Sequence, residues 1–197
     1  MYKCFFKRLI DFIFVFCVLA VIWPILLIIT IWLHFVNKGA GAFFMQERPG
    51  KGGKLFKVIK FKSMTDERDE RGNLLPNEQR ITKVGTFIRR TSIDELPQFI
   101  NVLMGDMSVV GPRPHMLKHT EEYAQVINKF MVRHFVKPGI TGWAQVTGYR
   151  GETKELWQME GRVSRDIWYI EHWTFMLDLY IIYKTVYNAI HGEKEAY

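Results

Sequence analysis

From Phe12 to Val36 the chain reads FIFVFCVLAVIWPILLIITIWLHFV, with no Asp, Glu, Lys or Arg. About 20 apolar residues cross a bilayer as a helix, so the run predicts a membrane segment. A buried soluble helix is the bland reading, but such helices seldom stay apolar all round for so long. A cleavable signal peptide also competes: Lys3, Lys7 and Arg8 form a basic start, and Ala40–Ala42 (AGA) resembles a cleavage site. Signal cores run only about 7–15 residues, shorter than this one.

Pro24 falls near the middle of the run, where a proline removes a backbone bond and kinks or breaks a helix. Lys3, Lys7 and Arg8 precede the run, and Lys38, Arg48, Lys51 and Lys54 follow it. Basic flanks prefer the cytoplasmic side. A helix broken at Pro24, entering and leaving by one face, satisfies both flanks; a kinked span is the alternative. Residues 1–37 are therefore expected to be a re-entrant anchor, and residues 38–197 a domain at the cytoplasmic face.

Beyond the anchor the periodicity changes. Phe43–Glu47 and Leu55–Phe61 predict two strands around Pro49, Gly50, Gly52 and Gly53. GKGGKL lacks the spacing and the hydroxyl of a phosphate loop, so it reads as the hairpin tip. Residues 65–80, TDERDERGNLLPNEQR, predict a charged surface loop, and QFINVLM (98–104) a helix. Asp166–Ile190 is rich in Trp, Tyr and long aliphatics, interrupted by Glu171, Asp178 and Lys184. It predicts helices at the membrane interface or near the anchor, with ordinary core helices an equal alternative. The fold class is α/β, mostly α: a small β-hairpin and a helical body with interfacial amphipathic helices.

Composition adds a few constraints. The two cysteines, Cys4 and Cys17, offer no metal spacing and no evident disulfide, which suits a reducing compartment. The net charge of +7 lies outside the apolar run, which carries none, and most of it falls in the body. Beside an anionic leaflet this points to membrane and phosphate ligands rather than nucleic acid.

Candidate chemistry centres on RRTSIDELPQF, residues 89–99. Pro97 is tolerated only in a first helical turn, and Ser92 with Glu95 spells a capping box. Asp94 and Glu95 thus stand where a helix starts, a position that acids often occupy with no further role. Their neighbours suggest more. Lys60, Lys62, Arg89 and Arg90 bracket the pair, and Pro112 and Pro114 restrict the backbone around Arg113. Such cations could clamp phosphates while a carboxylate attacks one, with a divalent metal offsetting repulsion. His115 and His119 read as a surface pair at i and i+4. Trp143 and Tyr149 lie among glycines in a segment read as flexible, where they would either stack on a base or sugar or simply pack. No GxSxG elbow or dinucleotide glycine pattern is present.

KLFKVIKFKSM, RRTSIDELPQFINVLMGDMSVVGPRPH, KPGITGWAQVTGYRGET and RDIWYIEHWTFMLDLYIIYKTV resemble the bacterial sugar transferases, the monotopic phosphoglycosyl transferases. The resemblance runs from about residue 7 to the C-terminus. It implies that Asp94 attacks the sugar-proximal phosphate of a UDP-sugar and expels UMP. Undecaprenyl phosphate then takes the phosphosugar from the aspartate, the first membrane step of polysaccharide synthesis. It further implies Mg²⁺ at Asp94 and Glu95, with Glu95 alternatively managing protons. Phosphate groups would be held by Lys60, Lys62, Arg90 and Arg113, substrate would meet Trp143 and Tyr149, and Asp166 is a weaker addition. The block GYRGET resembles members using UDP-glucose or UDP-galactose. The implied place is the cytoplasmic face of the bacterial inner membrane, with downstream glycosyltransferases as possible partners. The chain resembles the minimal form of the family or a piece trimmed to it. Two rivals remain: a non-catalytic anchored protein binding anionic lipid, and a phosphohydrolase passing an aspartyl phosphate to water.

Overall fold

A computed structural model describes residues 2–37, 40–151, 153 and 155–191; the side chains of residues 2–4, 77, 118 and 119 are outside that description. Lys38 and Glu152, and the side chains of Lys3 and His119, therefore fall outside the described residues. In order, the elements are α1 (Tyr2–Val36), β1 (Phe43–Pro49), β2 (Leu55–Phe61), α2 (Asn77–Arg80), α3 (Lys83–Arg90), α4 (Gln98–Met104), β3 (Ser108–Val110), α5 (Leu117–Val126), β4 (Gly139–Thr141), α6 (Trp143–Val146), α7 (Leu156–His172) and α8 (Phe175–His191).

The expected division of the apolar segment into two helices is not seen. Pro24 lies exposed inside one continuous helical element, α1. Asp11, Val15, Ile29, Leu33 and Asn37 are buried, spaced as one helical stripe, while most of the remaining apolar surface is bare. Phe5, Phe16, Val21, Ile28 and Phe35 are all 61% or more exposed. A soluble helix would not leave such a surface open, and it suits a lipid environment. α1 touches the body at both ends. Arg8 donates to the carbonyls of Val102 and Leu103, and Lys7 pairs with Asp178 at 2.5 Å. Near the other end, the Asn37 amide donates to the carbonyls of Gly41 and Lys62.

The hairpin forms where the sequence pattern places it. β1 and β2 pair antiparallel, Phe43 opposite Phe61 and Pro49 opposite Leu55, so β1 runs two residues past its expected end. The tip turns through Lys51–Gly53 with Gly52 and Gly53 at positive φ, which glycine adopts without strain. A second sheet was not anticipated: β3 and β4 pair in parallel. Their junction needs glycine. A Cβ on Gly139 would lie 2.1 Å from the Gly111 nitrogen, and one on Gly142 would lie 2.3 Å from the Gly111 oxygen. The stretch read as flexible is therefore a close-packed crossing.

One core joins Val15, Val102, Met107, Val110, Tyr169 and Ile181, linking α1, α4, β3, α7 and α8. Another joins Ile29, Leu33, Phe61 and Ile88, fastening α1 to β2 and α3. Each buried aliphatic contributes roughly 1.5–3 kcal/mol. The C-terminal aromatic stretch is broken between His172 and Phe175. α8 packs near α1 through Asp178, which accepts from Lys7, Tyr169 (2.7 Å) and Trp173 (2.8 Å). Its outer face, with Met176, Tyr183 and Ile190, is exposed.

Candidate active site

A cleft of about 770 Å³ opens between the hairpin, α3 and the turn before α4. Seven cationic side chains line it (Arg48, Lys60, Lys62, Arg80, Arg89, Arg113 and Arg150), against three carboxylates, Asp66, Asp94 and Glu95. Such an excess concentrates field in a concave wall and favours a multiply charged anion.

The turn carrying the acids is a short 3₁₀ segment, Ile93–Glu95, that leads through Leu96 and Pro97 into α4. The expected capping box is absent. Ser92 adopts φ +57, a left-handed conformation unusual for serine, and its hydroxyl accepts from Arg150 at 2.6 Å. Glu95 turns into the cleft instead. Its carboxylate accepts from Lys60 at 2.7 Å and from both terminal nitrogens of Arg113. α4 is held to the hairpin by Asn101, which is fully buried. Asn101 accepts from the Ile59 N–H (2.9 Å) and donates to the Lys57 carbonyl (2.8 Å), occupying the open edge of β2. This clamp brings Lys60 to the acidic turn.

Arg113 is fixed from behind. Its carbonyl accepts from Arg133 at 3.0 Å, and Arg133 is ion-paired at 2.5 Å with Asp166; both partners are buried. Asp166 thus lies inside α7, which begins at Leu156, and supports Arg113 indirectly instead of lining the cleft. Sequence reasoning missed Arg133, since nothing in the chain marks its partner.

The two adjacent acids are driven in opposite directions. Burial alone would raise Glu95, but the charges and hydrogen bonds of Arg113 and Lys60 overcome it and hold Glu95 far below the carboxylate range. Burial and then the Glu95 charge push Asp94 up to about 6, against the pull of Lys60, Arg113 and Arg89. Asp66 is paired with Lys62. Asp94 is the one cleft carboxylate with neither hydrogen bond nor ion pair among the described residues. Burial, then Arg113, pulls Arg48 down to about 10. Asp94 thus stands in the cleft as an unpaired carboxylate ringed by cations.

The other expected residues lie elsewhere. Arg90 is exposed and outside the cleft lining, where Arg89 stands, donating to Ser63 at 2.7 Å. Trp143 stacks on Trp168 at 5.0 Å, and Tyr149 lies under the Arg165 guanidinium at 4.0 Å; neither lines the cleft. His115 is no surface residue. It is buried ahead of α5 with its Nδ1 facing Arg133, and burial and that charge depress its pKa. No group of three His, Cys, Asp or Glu suited to a metal occurs among the described residues.

A family model described as bacterial sugar transferase matches residues 2–192. A UDP-glucose:undecaprenyl-phosphate glucose-1-phosphate transferase of Klebsiella pneumoniae is 50% identical over 186 residues, covering 93% of this chain and 40% of that protein. An uncharacterized sugar transferase of Bacillus subtilis, EpsL, is 46% identical over 95% of this chain and 88% of its own length. A UDP-N-acetylgalactosamine-undecaprenyl-phosphate N-acetylgalactosaminephosphotransferase of Aeromonas hydrophila is 35% identical, over 95% of this chain and 44% of its own. The chain thus spans well under half of the Klebsiella and Aeromonas relatives.

Proposed function

The chain belongs to the bacterial sugar transferase family, and from that premise we propose that it transfers a sugar 1-phosphate from a UDP-sugar to undecaprenyl phosphate. UDP-glucose or UDP-galactose is the donor, the former in keeping with the name of the Klebsiella relative. An Asp94 oxygen attacks the sugar-proximal phosphorus, the bond to the UMP oxygen breaks, and UMP leaves. The oxygen of undecaprenyl phosphate then attacks the same phosphorus, breaking its bond to Asp94. Lys60, Arg89, Arg113 and Arg48 steady the phosphates, and Glu95 positions Lys60 and Arg113.

Mg²⁺ belongs to this reading. Glu95 has its oxygens taken by Arg113 and Lys60, so Asp94 would be the main protein ligand, with substrate phosphates and water completing the shell. It would supply neutralisation of the diphosphate charge. The work takes place at the cytoplasmic face of the inner membrane, with α1 as an anchor that is re-entrant as one continuous helical element and not as two helices divided at Pro24. Contact of both ends of α1 with one body supports that topology.

The observation carrying the reading is the unpaired, cation-ringed carboxylate of Asp94. UMP release is measured with UDP-sugars, Mg²⁺ and undecaprenyl phosphate. Asp94→Asn is expected to release none, and radiolabelled donor to label Asp94 in the wild type. Wild-type release by Asp94→Asn removes the nucleophile; release without lipid product makes the protein a hydrolase.

A further inference from the structure

A second cavity, about 250 Å³, opens at the other end of α4 from the acidic turn. At about 30 Å³ per water it equals roughly eight waters, the bulk of a phosphate and a few carbons. Phe135, Ile170 and Trp173 make its walls apolar, and Lys7, Arg8, Lys51 and Lys137 add four cations. Two of these are committed: Lys7 to Asp178, and Arg8 to the carbonyls of Val102 and Leu103. Lys51 and Lys137 make no ion pair among the described residues. The Asp11 carboxylate in the same cavity does not neutralise them by contact. It accepts from the Ser108 hydroxyl (2.6 Å) and the Val109 N–H (3.4 Å), so β3 takes up its oxygens.

The cluster is short of negative charge. Lys137 is pushed down by burial and then by Arg8, with Lys51 adding and Asp11 and Asp106 opposing. The cavity also adjoins apolar surface. Phe135 is 68% exposed, and Phe5 and Leu9 stand open beside Lys7 and Arg8 on α1. Cations over an apolar wall, at the foot of a lipid-facing helix, match an anion joined to a hydrocarbon chain.

We propose that this cavity binds an anionic phospholipid, its phosphate between Lys51 and Lys137 and its acyl chains against Phe135 and Trp173. The site is separate from the Asp94 cleft and does not depend on the transfer reaction. A free phosphate shares the headgroup chemistry but gains nothing from the apolar wall.

Native mass spectrometry of the full chain in detergent tests this, with phosphatidylglycerol, phosphatidylcholine and inorganic phosphate as probes. The wild type is expected to retain one phosphatidylglycerol in preference to phosphatidylcholine. Lys51→Gln/Lys137→Gln should weaken retention roughly twenty-five-fold, at about fivefold per basic residue near the surface. Lys51→Arg/Lys137→Arg, which keeps both charges, should hold the lipid, which separates charge from folding. Equal retention of the two lipids, or unchanged retention in the glutamine variant, overturns the proposal. Displacement of the lipid by inorganic phosphate at equal concentration assigns the site to a free anion and overturns it too.

Discussion

Asp94 is costly to the fold, and removing its charge should stabilise the protein while ending its activity. Its pKa is raised from the ordinary 3.8 to about 6, chiefly by burial and then by Glu95. The raised value already includes the attraction of Lys60, Arg113 and Arg89. At about 1.36 kcal/mol per pH unit this is up to about 3 kcal/mol against the charged folded state. Partial exposure lowers the working figure to roughly 1–3 kcal/mol. The sign follows from linkage. Below pH 4 the carboxyl is neutral in both states and the penalty is absent; it grows as pH rises from about 4 to 6 and is complete above. Asp94→Asn should therefore melt higher than wild type at pH 7.5, by about 5 °C at roughly 2–4 °C per kcal/mol. The gap should close near pH 4. Thermal unfolding of both proteins in one detergent, across this range, measures it. A variant that melts at or below wild type at pH 7.5 refutes the reasoning, as does a gap that stays constant with pH.

Glu95→Gln removes the second largest cause raising Asp94, so the acid limb of UMP release, expected near pH 6 in wild type, should move to lower pH. The plateau rate should fall at least tenfold as Lys60 and Arg113 lose their anchor, and a pH–rate profile reads both effects. Asp166→Asn leaves Arg133 as an unpaired buried cation and should destabilise by about 3–5 kcal/mol, seen in denaturant or thermal melts. Gly139→Ala drives a Cβ against the Gly111 backbone; it should lower the melting temperature by several degrees at a cost of about 1–3 kcal/mol.

Local signals carried well from sequence to structure. The apolar run, the hairpin with its glycine tip, and the acidic pair next to Pro97 all depend on neighbours within a few residues. Long-range partners did not carry. Ser92 and Glu95 satisfy the capping-box spacing, yet Arg150 takes the serine and Lys60 and Arg113 take the glutamate. The parallel pair β3–β4 joins three-residue strands about thirty positions apart, too short for any periodicity to register. Arg89 was within reach. On α3, Gly85 and Ile88 face inward, so Arg89 follows the buried side while Arg90 turns out. The Asp166–Arg133 pair had no such cue, because each residue alone reads as an ordinary surface charge.

α4 has one consequence for geometry. Its C-terminal carbonyls are gripped by Arg8 of α1, and its N-terminal side carries the turn that bears Asp94. Seven residues at 1.5 Å each make a rod of about 10 Å. The altitude of the aspartate relative to the start of α1 is thereby preset, like a gauge block. Inserting or deleting one residue in α4 would shift that height by about 1.5 Å and rotate the turn by about 100°.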